Sequence, residues 1–247
     1  MLRFSQFRRG IAACLVASAA VSGFAGAAEP KPEEGWISLF NGKDFTGWKM
    51  VDPPSGEFKS LKEVKNDDGK VTAFIGVTKK DAKEVTLWEV KDGMIVGGGP
   101  ASHIFTEVEA DDFQYRVEAK INDKGNSGQY FRTKMGPGFP AGYEAQINAT
   151  HGDPIRTGSL YPDGRTKLGE SKKEITVMNT AAHQAEEFFT QEVIANGDRI
   201  QILVNGKQTI DFKDPNKTHT KGHFALQGHD PGSVMTFKKV EYKPLKK

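Results

Sequence analysis

Two short stretches of the sequence carry side chains suited to proton transfer and sugar binding. Residues 142–148 read Gly-Tyr-Glu-Ala-Gln-Ile-Asn, and residues 225–230 read Ala-Leu-Gln-Gly-His-Asp. Glutamate and histidine are frequent general acids and bases, and glutamine amides donate and accept hydrogen bonds with hydroxyl groups. Histidine as a residue type titrates near pH 6.5, so it can accept a proton at neutral pH. Glu144 and His229 are therefore candidate catalytic groups, with Gln146 and Gln227 beside them.

Strand geometry would gather these side chains on one face of a sheet. Successive side chains of a β-strand point to opposite faces, and apolar and polar residues alternate over residues 143–148. In residues 224–229, Phe224 and Leu226 share one face, whereas Gln227 and His229 share the other. If both strands belong to one sheet, the polar face is a candidate carbohydrate site. The alternative is the solvated face of an antiparallel sheet, which alternates in the same way.

The N-terminal segment has the pattern of a secretory signal peptide. Arg3, Arg8 and Arg9 precede an apolar run over residues 11–21, which ends in small residues at 25–28. A charged start, an apolar stretch and a small-residue cleavage site are typical of such peptides. The run is shorter than the about 20 apolar residues of a membrane span, and no later segment predicts one. We therefore predict a signal peptide over residues 1–28, export to the periplasm or the extracellular space, and no membrane span.

Several reaction classes are disfavoured by what the sequence lacks. A retaining glycosidase needs two carboxylates about 5 Å apart, but Glu144 is the only acid in residues 143–148. No nucleophile elbow, Walker loop or dinucleotide fingerprint is present. Cys14 is the only cysteine and lies in the predicted signal peptide, so the mature chain would have no thiol chemistry.

No metal or cofactor is predicted. His219 and His223 have a spacing that would suit two ligands on a helix, but Gly222 and the surrounding strand pattern argue against a helix there. The turn Asn66-Asp-Asp-Gly69 has oxygen ligands of the kind that calcium prefers, although a plain exposed turn is the favoured interpretation. We therefore expect function without a cofactor.

The charge balance disfavours a nucleic-acid partner. The chain has 34 basic and 32 acidic side chains. Three arginines and no acid lie in the predicted signal peptide, which leaves 31 basic against 32 acidic side chains in the mature chain. A nucleic-acid-binding domain usually has a markedly basic surface. We expect a neutral partner such as a carbohydrate, and the sequence identifies no protein partner.

Turn signals divide the mature chain into short strands. Lys-Asp-Gly at 91–93 separates residues 87–90 from 94–96, and Asn-Gly pairs at 196–197 and 205–206 separate the three strands of a meander. Further strands are predicted over residues 114–121, 128–134, 143–148, 222–227 and 234–243, and a helical turn or two over residues 181–187. Many short strands with glycine-rich turns predict an all-β domain over residues 29–247, a jelly-roll β-sandwich, with a barrel as the alternative.

Two longer segments interrupt the strand pattern. Residues 51–84 contain a Pro-Pro pair and many lysines and predict an elaborated hairpin or a surface insertion. Residues 149–183 contain several prolines and glycines with little strand pattern. Long loops of this kind are usually functional. Because this segment directly follows residues 143–148, we expect it at the mouth of the proposed site.

Four blocks of the sequence, in order, resemble one family. They comprise Gly35-Trp-Ile-Ser-Leu-Phe-Asn-Gly-Lys-Asp-Phe-Thr-Gly-Trp48, Trp88-Glu-Val-Lys-Asp-Gly-Met-Ile-Val-Gly-Gly-Gly99, a third from Phe113 to Tyr161, and a last one from Leu203-Val-Asn-Gly206 to Ala225-Leu-Gln-Gly-His229. The third contains Asn-Ser-Gly-Gln-Tyr-Phe-Arg at 126–132 and Thr-Gly-Ser-Leu-Tyr at 157–161. Together they are similar to the 3-keto-disaccharide hydrolase domain of bacterial exported proteins.

The resemblance implies a fold, an activity and a set of site residues. The fold would be a concanavalin A-like jelly-roll sandwich of two antiparallel sheets, and the activity the cleavage of glycosides that are oxidised at C3 of one sugar. The residues that it carries over by motif are Asn126, Arg132, Glu144, Gln146, Gln227 and His229.

The sequence departs from the family pattern in three places. Asn148 stands where an Asp is usual, and Phe188-Phe-Thr-Gln191 replaces a Trp-Asn pair before the meander. The segment 51–84 is also longer than expected. These departures bear on the substrate more than on the fold.

The implied chemistry suits a site with few acids. A ketone at C3 acidifies the hydrogen on C2, so one base can remove it, the C1 substituent leaves by elimination, and water then adds to the enone. Either His229 or Glu144 could be the base, while Arg132, Asn126 and Gln146 could hold the enolate or sugar hydroxyls. The alternatives are a non-catalytic carbohydrate-binding domain, and a purely structural or protein-interaction domain.

Overall fold

The computed structural model describes residues 33–161 and 176–245, which form two antiparallel β-sheets of short strands. This confirms the predicted all-β sandwich. The predicted signal peptide at residues 1–28 lies outside the described residues, as does part of the segment 149–183.

The described residues contain fifteen strands. In chain order they are β1 (Ile37–Ser38), β2 (Trp48–Lys49), β3 (Phe58–Lys65), β4 (Val71–Thr78), β5 (Glu84–Lys91), β6 (Met94–Gly98), β7 (Ser102–Ala110), β8 (Phe113–Ile121), β9 (Ser127–Thr133), β10 (Tyr143–Ile147), β11 (Phe189–Asn196), β12 (Arg199–Val204), β13 (Lys207–Lys213), β14 (Gly222–Gly228) and β15 (Val234–Pro244).

The larger sheet has the strand order β13-β12-β11-β8-β15-β6-β5-β4-β3, with β1 paired to β15. It contains the elements that turn chemistry predicted: the meander β11-β12-β13, the hairpin β5-β6 and the hairpin β3-β4 within the segment 51–84. Residues 181–187 form bends and a turn rather than a helix.

The smaller sheet, in the order β10-β9-β14-β7-β2, carries the predicted polar strands. The strands β10 and β14 both pair with β9, so the two stretches first identified in the sequence lie one strand apart. Across the sheet Glu144 is opposite Tyr130 and Tyr130 is opposite Ala225. Side chains opposite each other on neighbouring strands are within contact distance, so this register brings the polar residues of different strands together.

The main core lies between the two sheets and consists of the apolar half of each alternating strand. In β8 every second residue is buried, from Phe113 to Ile121. Trp88 is fully buried and packs on Gly97 of the neighbouring strand, where a Cβ atom would lie 2.1 Å from the Trp88 ring. Tyr143, Ala145 and Ile147 also belong to this core, as alternation predicts. Their polar neighbours therefore face outward.

The strands β9 and β10 are buried on both faces. On the outer face Phe105, Tyr130 and Ala225 form a second, small apolar cluster with Met135 packed against it. Loops cover this face, so the polar side chains of β10 and β14 lie in a pocket rather than on an open surface.

Within the described residues, no helix has the length and apolar character that crossing a membrane would require.

Candidate functional site

A pocket of about 190 Å³ opens on the outer face of the smaller sheet. The strands β9, β10 and β14 supply its floor, and Asn126, directly before β9, supplies its walls together with the loops after β9, β10 and β14. The residues that line it are Asn126, Tyr130, Phe139, Glu144, Gln146, Tyr161, Gln227 and His229. Five of the six residues that sequence reasoning selected for the site thus meet in one cavity.

Glu144 lies at the centre of a buried hydrogen-bond network. The hydroxyl of Tyr130 donates to Oε2 of Glu144 at 2.7 Å, and Nε2 of Gln227 donates to Oε1 at 3.0 Å. The same Gln227 nitrogen lies 3.1 Å from the Tyr130 hydroxyl. Glu144 is only 6% exposed, so these donors replace the hydration that its carboxyl group has lost.

Gly128 provides the space for the Glu144 carboxylate. It lies opposite Gln146, two positions along β9 from Tyr130, the residue that is opposite Glu144. A Cβ atom at residue 128 would lie 2.3 Å from Oε1 of Glu144. Because glycine has no Cβ, the carboxylate can lie directly against the strand and reach its partners on β9 and β14.

His229 follows the last residue of β14 and is oriented by its sequence neighbour. Its Nδ1 atom lies 3.0 Å from Oδ2 of Asp230, and a carboxylate can only accept there, so Nδ1 carries the proton. Ser233 also donates to this Asp230 oxygen at 3.0 Å. With Nδ1 protonated, the Nε2 atom of the neutral ring has the free lone pair and can act as a base.

A second histidine, His151, shares the same carboxylate. The backbone N–H of Asp153 donates to its Nδ1 at 3.1 Å, so that a neutral ring carries its proton on Nε2. This Nε2 is 3.7 Å from Oδ2 of Asp230, and the two imidazole centroids are 5.9 Å apart. Asp230 therefore faces two histidines at the edge of the pocket.

Three buried amide atoms of the pocket have no hydrogen-bond partner among the described residues: Oδ1 of Asn126, Nε2 of Gln146 and Oε1 of Gln227. All three side chains are at most 2% exposed. The orientation of the Gln146 amide follows from its oxygen, which accepts from the N–H of Ile147 at 3.1 Å. Buried polar atoms rarely lack partners, so two acceptors and one donor in one cavity suit a polar ligand.

Asn148 organises the wall that follows β10. Its amide nitrogen donates to the carbonyls of Asp153 and Ile155, at 2.9 and 2.8 Å. Its oxygen accepts from the N–H of His151 at 2.9 Å and from Arg156 at 3.0 Å. A carboxylate could not supply the two donors. Asn148, which replaces the usual Asp, therefore stabilises this particular loop conformation and does not line the pocket.

Arg132, the sixth predicted site residue, lies elsewhere. Its guanidinium donates to the carbonyls of Asp111, Gly197 and His219 and pairs with Asp112 at 3.2 Å. These contacts belong to a separate cavity. Burial lowers the pKa of Arg132. The guanidinium is enclosed by protein groups and is 2% exposed, so its role is structural.

A β-bulge explains why Arg132 is not in the pocket. Thr133 pairs with His223 and Tyr130 pairs with Ala225, so two residues of β9 are opposite the single residue Phe224. Arg132 has φ of +50°. Such a bulge inserts one residue and changes the direction of the side chain. Simple alternation, which would put Arg132 on the same face as Tyr130, fails at this point.

Four residues of the site were not selected from the sequence. Tyr130 lies between Asn126 and Arg132 in a motif already identified, and Asp230 directly follows His229, so both had a local signal. Tyr161 ends the motif at 157–161 and so had a signal too, whereas Phe139 lies in a loop outside the quoted motifs and had none. The hydroxyl of Tyr161 donates to Asp153 at 2.8 Å, which holds this ring in the wall.

The environments of two other histidines differ from simple surface positions. His183 and His219 stand in polar sequence contexts that predict exposure, yet both are half-buried. The His183 ring stacks on the Phe189 ring with their centroids 3.8 Å apart. Burial lowers the pKa of His183. His219 packs edge-on against Tyr143 at 5.0 Å.

Among residues 33–161 and 176–245, no group of three or more His, Cys, Asp or Glu side chains has the arrangement of a metal site. The pocket itself presents one carboxylate and one imidazole among its described lining residues.

Solved structures show the same fold. A predicted glycosyl hydrolase from Parabacteroides distasonis is 24% identical, with a TM-score of 0.54 over 86% of this chain and 95% of that one. The β-glucanase of Bacillus licheniformis is 16% identical, with a TM-score of 0.53 over 85% of this chain and 97% of that one. At such identities the likeness shows the sandwich fold alone. A search of curated proteins found no match.

The family model that matches describes a 3-keto-alpha-glucoside-1,2-lyase-like domain and spans residues 35–243. This range includes all fifteen strands except the last residue of β15, together with every residue that lines the pocket. The chain therefore belongs to the 3-keto-alpha-glucoside-1,2-lyase-like domain family.

Proposed function

We propose that this protein is an exported enzyme that cleaves 3-keto-glycosides by removing the C2 proton, eliminating the C1 substituent and adding water. The observation that carries the proposal is that Glu144 and His229 line one pocket, in which Asp230 orients the His229 ring. The same pocket contains three buried amide atoms that have no hydrogen-bond partner among the described residues. Membership of the family supports the same substrate class.

The first step is proton transfer to His229. The C2–H bond of the keto sugar breaks, its proton passes to Nε2, and its electron pair forms an enolate whose charge lies on the C3 oxygen. The hydrogen bond from Nδ1 to Asp230 stabilises the imidazolium that results. An N–H donor aimed at the C3 oxygen would stabilise the enolate. Nε2 of Gln146 is a buried donor of this kind, and it takes the role that Arg132 cannot fill.

The second step expels the leaving group. The enolate re-forms the C3 carbonyl, a C1=C2 double bond forms, and the bond from C1 to the glycosidic oxygen breaks. That oxygen takes a proton from Glu144 in its acid form. The O–H of Tyr130 and the N–H of Gln227 then stabilise the carboxylate.

Addition of water returns both groups to their starting states. Glu144 accepts a proton from water as the oxygen adds to C1, and His229 returns its proton to C2. The net reaction is hydrolysis of the glycosidic bond. One base, one acid and a few amides suffice, which agrees with a pocket whose described lining contains a single carboxylate. The two-carboxylate mechanism of glycosidases that act on unmodified sugars has no such support.

Export is part of the proposal and rests on the N-terminal sequence. Arg3, Arg8 and Arg9, the apolar run and the small residues at 25–28 predict cleavage after residue 27 or 28 and a periplasmic or extracellular location. Mass spectrometry of the protein recovered from culture fractions would test it. A full-length chain confined to the cytoplasm would contradict export without affecting the chemistry.

The activity is tested with a 3-keto-disaccharide and its unoxidised parent. The oxidised sugar should be cleaved and the parent should not, because only the ketone acidifies the C2 hydrogen. In D₂O, a 3-keto sugar without a leaving group should exchange its C2 hydrogen for deuterium, as NMR can follow. Absence of both release and exchange would refute the proposal. Binding of the parent by calorimetry without any turnover would instead indicate a carbohydrate-binding domain.

A further inference from the structure

Phe139 is a large apolar side chain at the rim of the proposed active site. It lines the pocket and remains 38% exposed. Its ring centroid is 5.3 Å from that of His229 and 5.7 Å from that of His103. Ligand pockets are typically lined by aromatic and apolar side chains beside a few polar groups, so this ring is placed to contact a ligand.

The loop that carries Phe139 is held at both ends and in the middle. The N–H of Lys134 donates to the carbonyl of Ala141 at 2.9 Å, which closes the loop. The N–H of Gly138, whose φ is +67°, donates to the carbonyl of Pro54 at 2.8 Å. These bonds set the position of Phe139 before a ligand arrives, which reduces the entropy lost on binding.

The size and polarity of the pocket define what Phe139 can contact. A volume of about 190 Å³ is below the about 300–1,000 Å³ of pockets that enclose drug-sized molecules. It suits a single sugar ring, whose hydroxyl and carbonyl groups match the buried amide atoms of Asn126, Gln146 and Gln227. A second ring of the same substrate would then lie at the rim, where an exposed aromatic ring offers an apolar surface.

We propose that Phe139 forms a subsite for the leaving group of the substrate, on which its ring stacks through an apolar face. The C–H face of a pyranose and the face of an aromatic aglycone share this chemistry. The inference rests on the proposed function, because it assumes that the keto sugar occupies the pocket. Phe139 is then a specificity-determining residue that favours glycosides with a ring-shaped leaving group over those with a small one.

The test compares two substrates of one sugar, a methyl 3-keto-glucoside and a 3-keto-disaccharide. Phe139→Ala should lower kcat/KM for the disaccharide by about 3- to 10-fold more than it lowers kcat/KM for the methyl glycoside, the factor that aromatic stacking typically contributes. Phe139→Trp should restore the preference. Phe188→Ala is the matched control, since Phe188 is 42% exposed and does not line the pocket.

Each outcome distinguishes the subsite from the reaction. Equal losses for both substrates, or none for either, would overturn the subsite and leave the proposed function intact. If the wild-type protein turns over neither substrate, the proposed function fails, and calorimetry with the unoxidised disaccharide decides on the subsite. Weaker binding by Phe139→Ala than by Phe188→Ala would support it, and equal binding would overturn it.

Discussion

Substitution of Gly128 by alanine should disable the pocket without replacing any group that takes part in the reaction. The new Cβ atom would lie 2.3 Å from Oε1 and 2.8 Å from Cδ of Glu144. Ordinary van der Waals contacts of a Cβ atom are 3.4–4 Å, so the carboxylate must move by roughly 1 Å. A displacement of this size in a catalytic group costs about 10²-fold in rate.

The same displacement would break the network around Glu144. The bonds from Tyr130 at 2.7 Å and from Gln227 at 3.0 Å cannot both persist when the carboxylate has moved that far. The fold should survive, because φ of Gly128 is not in the left-handed region and overpacking typically costs about 1–3 kcal/mol of the about 5–15 kcal/mol by which domains are stable.

The assay is kcat with a 3-keto-disaccharide, together with the melting temperature. Gly56→Ala is the control, since a Cβ atom there would meet nothing within 4 Å. Gly128→Ala should cost about 10²-fold in kcat and should add little to Glu144→Gln in the double variant, because both act through one carboxylate. Full activity of Gly128→Ala, or losses that multiply in the double variant, would refute the reasoning.

The remaining predictions concern the base, a buried cation, acid stability and metals. His229→Ala should lower kcat by about 10²–10⁴-fold with an unchanged melting temperature, whereas His223→Ala, at the other end of β14 and outside the pocket, should leave kcat unchanged. Near-full activity of His229→Ala would transfer the role of base to Glu144. Arg132→Met should lower the free energy of unfolding, measured by urea denaturation, by about 3 kcal/mol, because backbone carbonyls and Asp112 lose their partner. A loss of kcat in the folded variant, with stability unchanged, would return Arg132 to the active site. Burial lowers the pKa of His183 from 6.5, so the native state disfavours the charged ring. The neutral His183 ring therefore contributes fully to the free energy of unfolding above about pH 6.5, and this contribution declines as pH falls towards the lowered pKa. His183→Asn should flatten this part of the curve of unfolding free energy against pH, and an identical slope in both proteins would contradict the assignment. Dialysis against a chelator should leave the rate unchanged, and a loss that one specific metal restores would show a cofactor.

Local patterns in the sequence determined the strands and the composition of the polar face. Turn pairs such as Asn205-Gly206 end strands because their backbones adopt positive φ readily, and φ is +50° and +76° at these two residues. Alternation in β10 separated Tyr143 from Glu144 because a strand has a period of two. Both rules depend only on nearest neighbours in the chain, so they can be applied without the fold.

The tertiary structure decided which polar groups meet and how they are oriented. The bulge opposite Phe224 removes Arg132 from the face that alternation assigns to it, and no local pattern marks that insertion because it depends on the pairing of two distant strands. The position of Phe139 depends on a bond to the carbonyl of Pro54, far away in sequence. The sequence alone thus determined which residues could do chemistry. Strand pairing and loop contacts decided which of these residues share a pocket, because only the folded chain brings distant backbone groups within hydrogen-bonding distance.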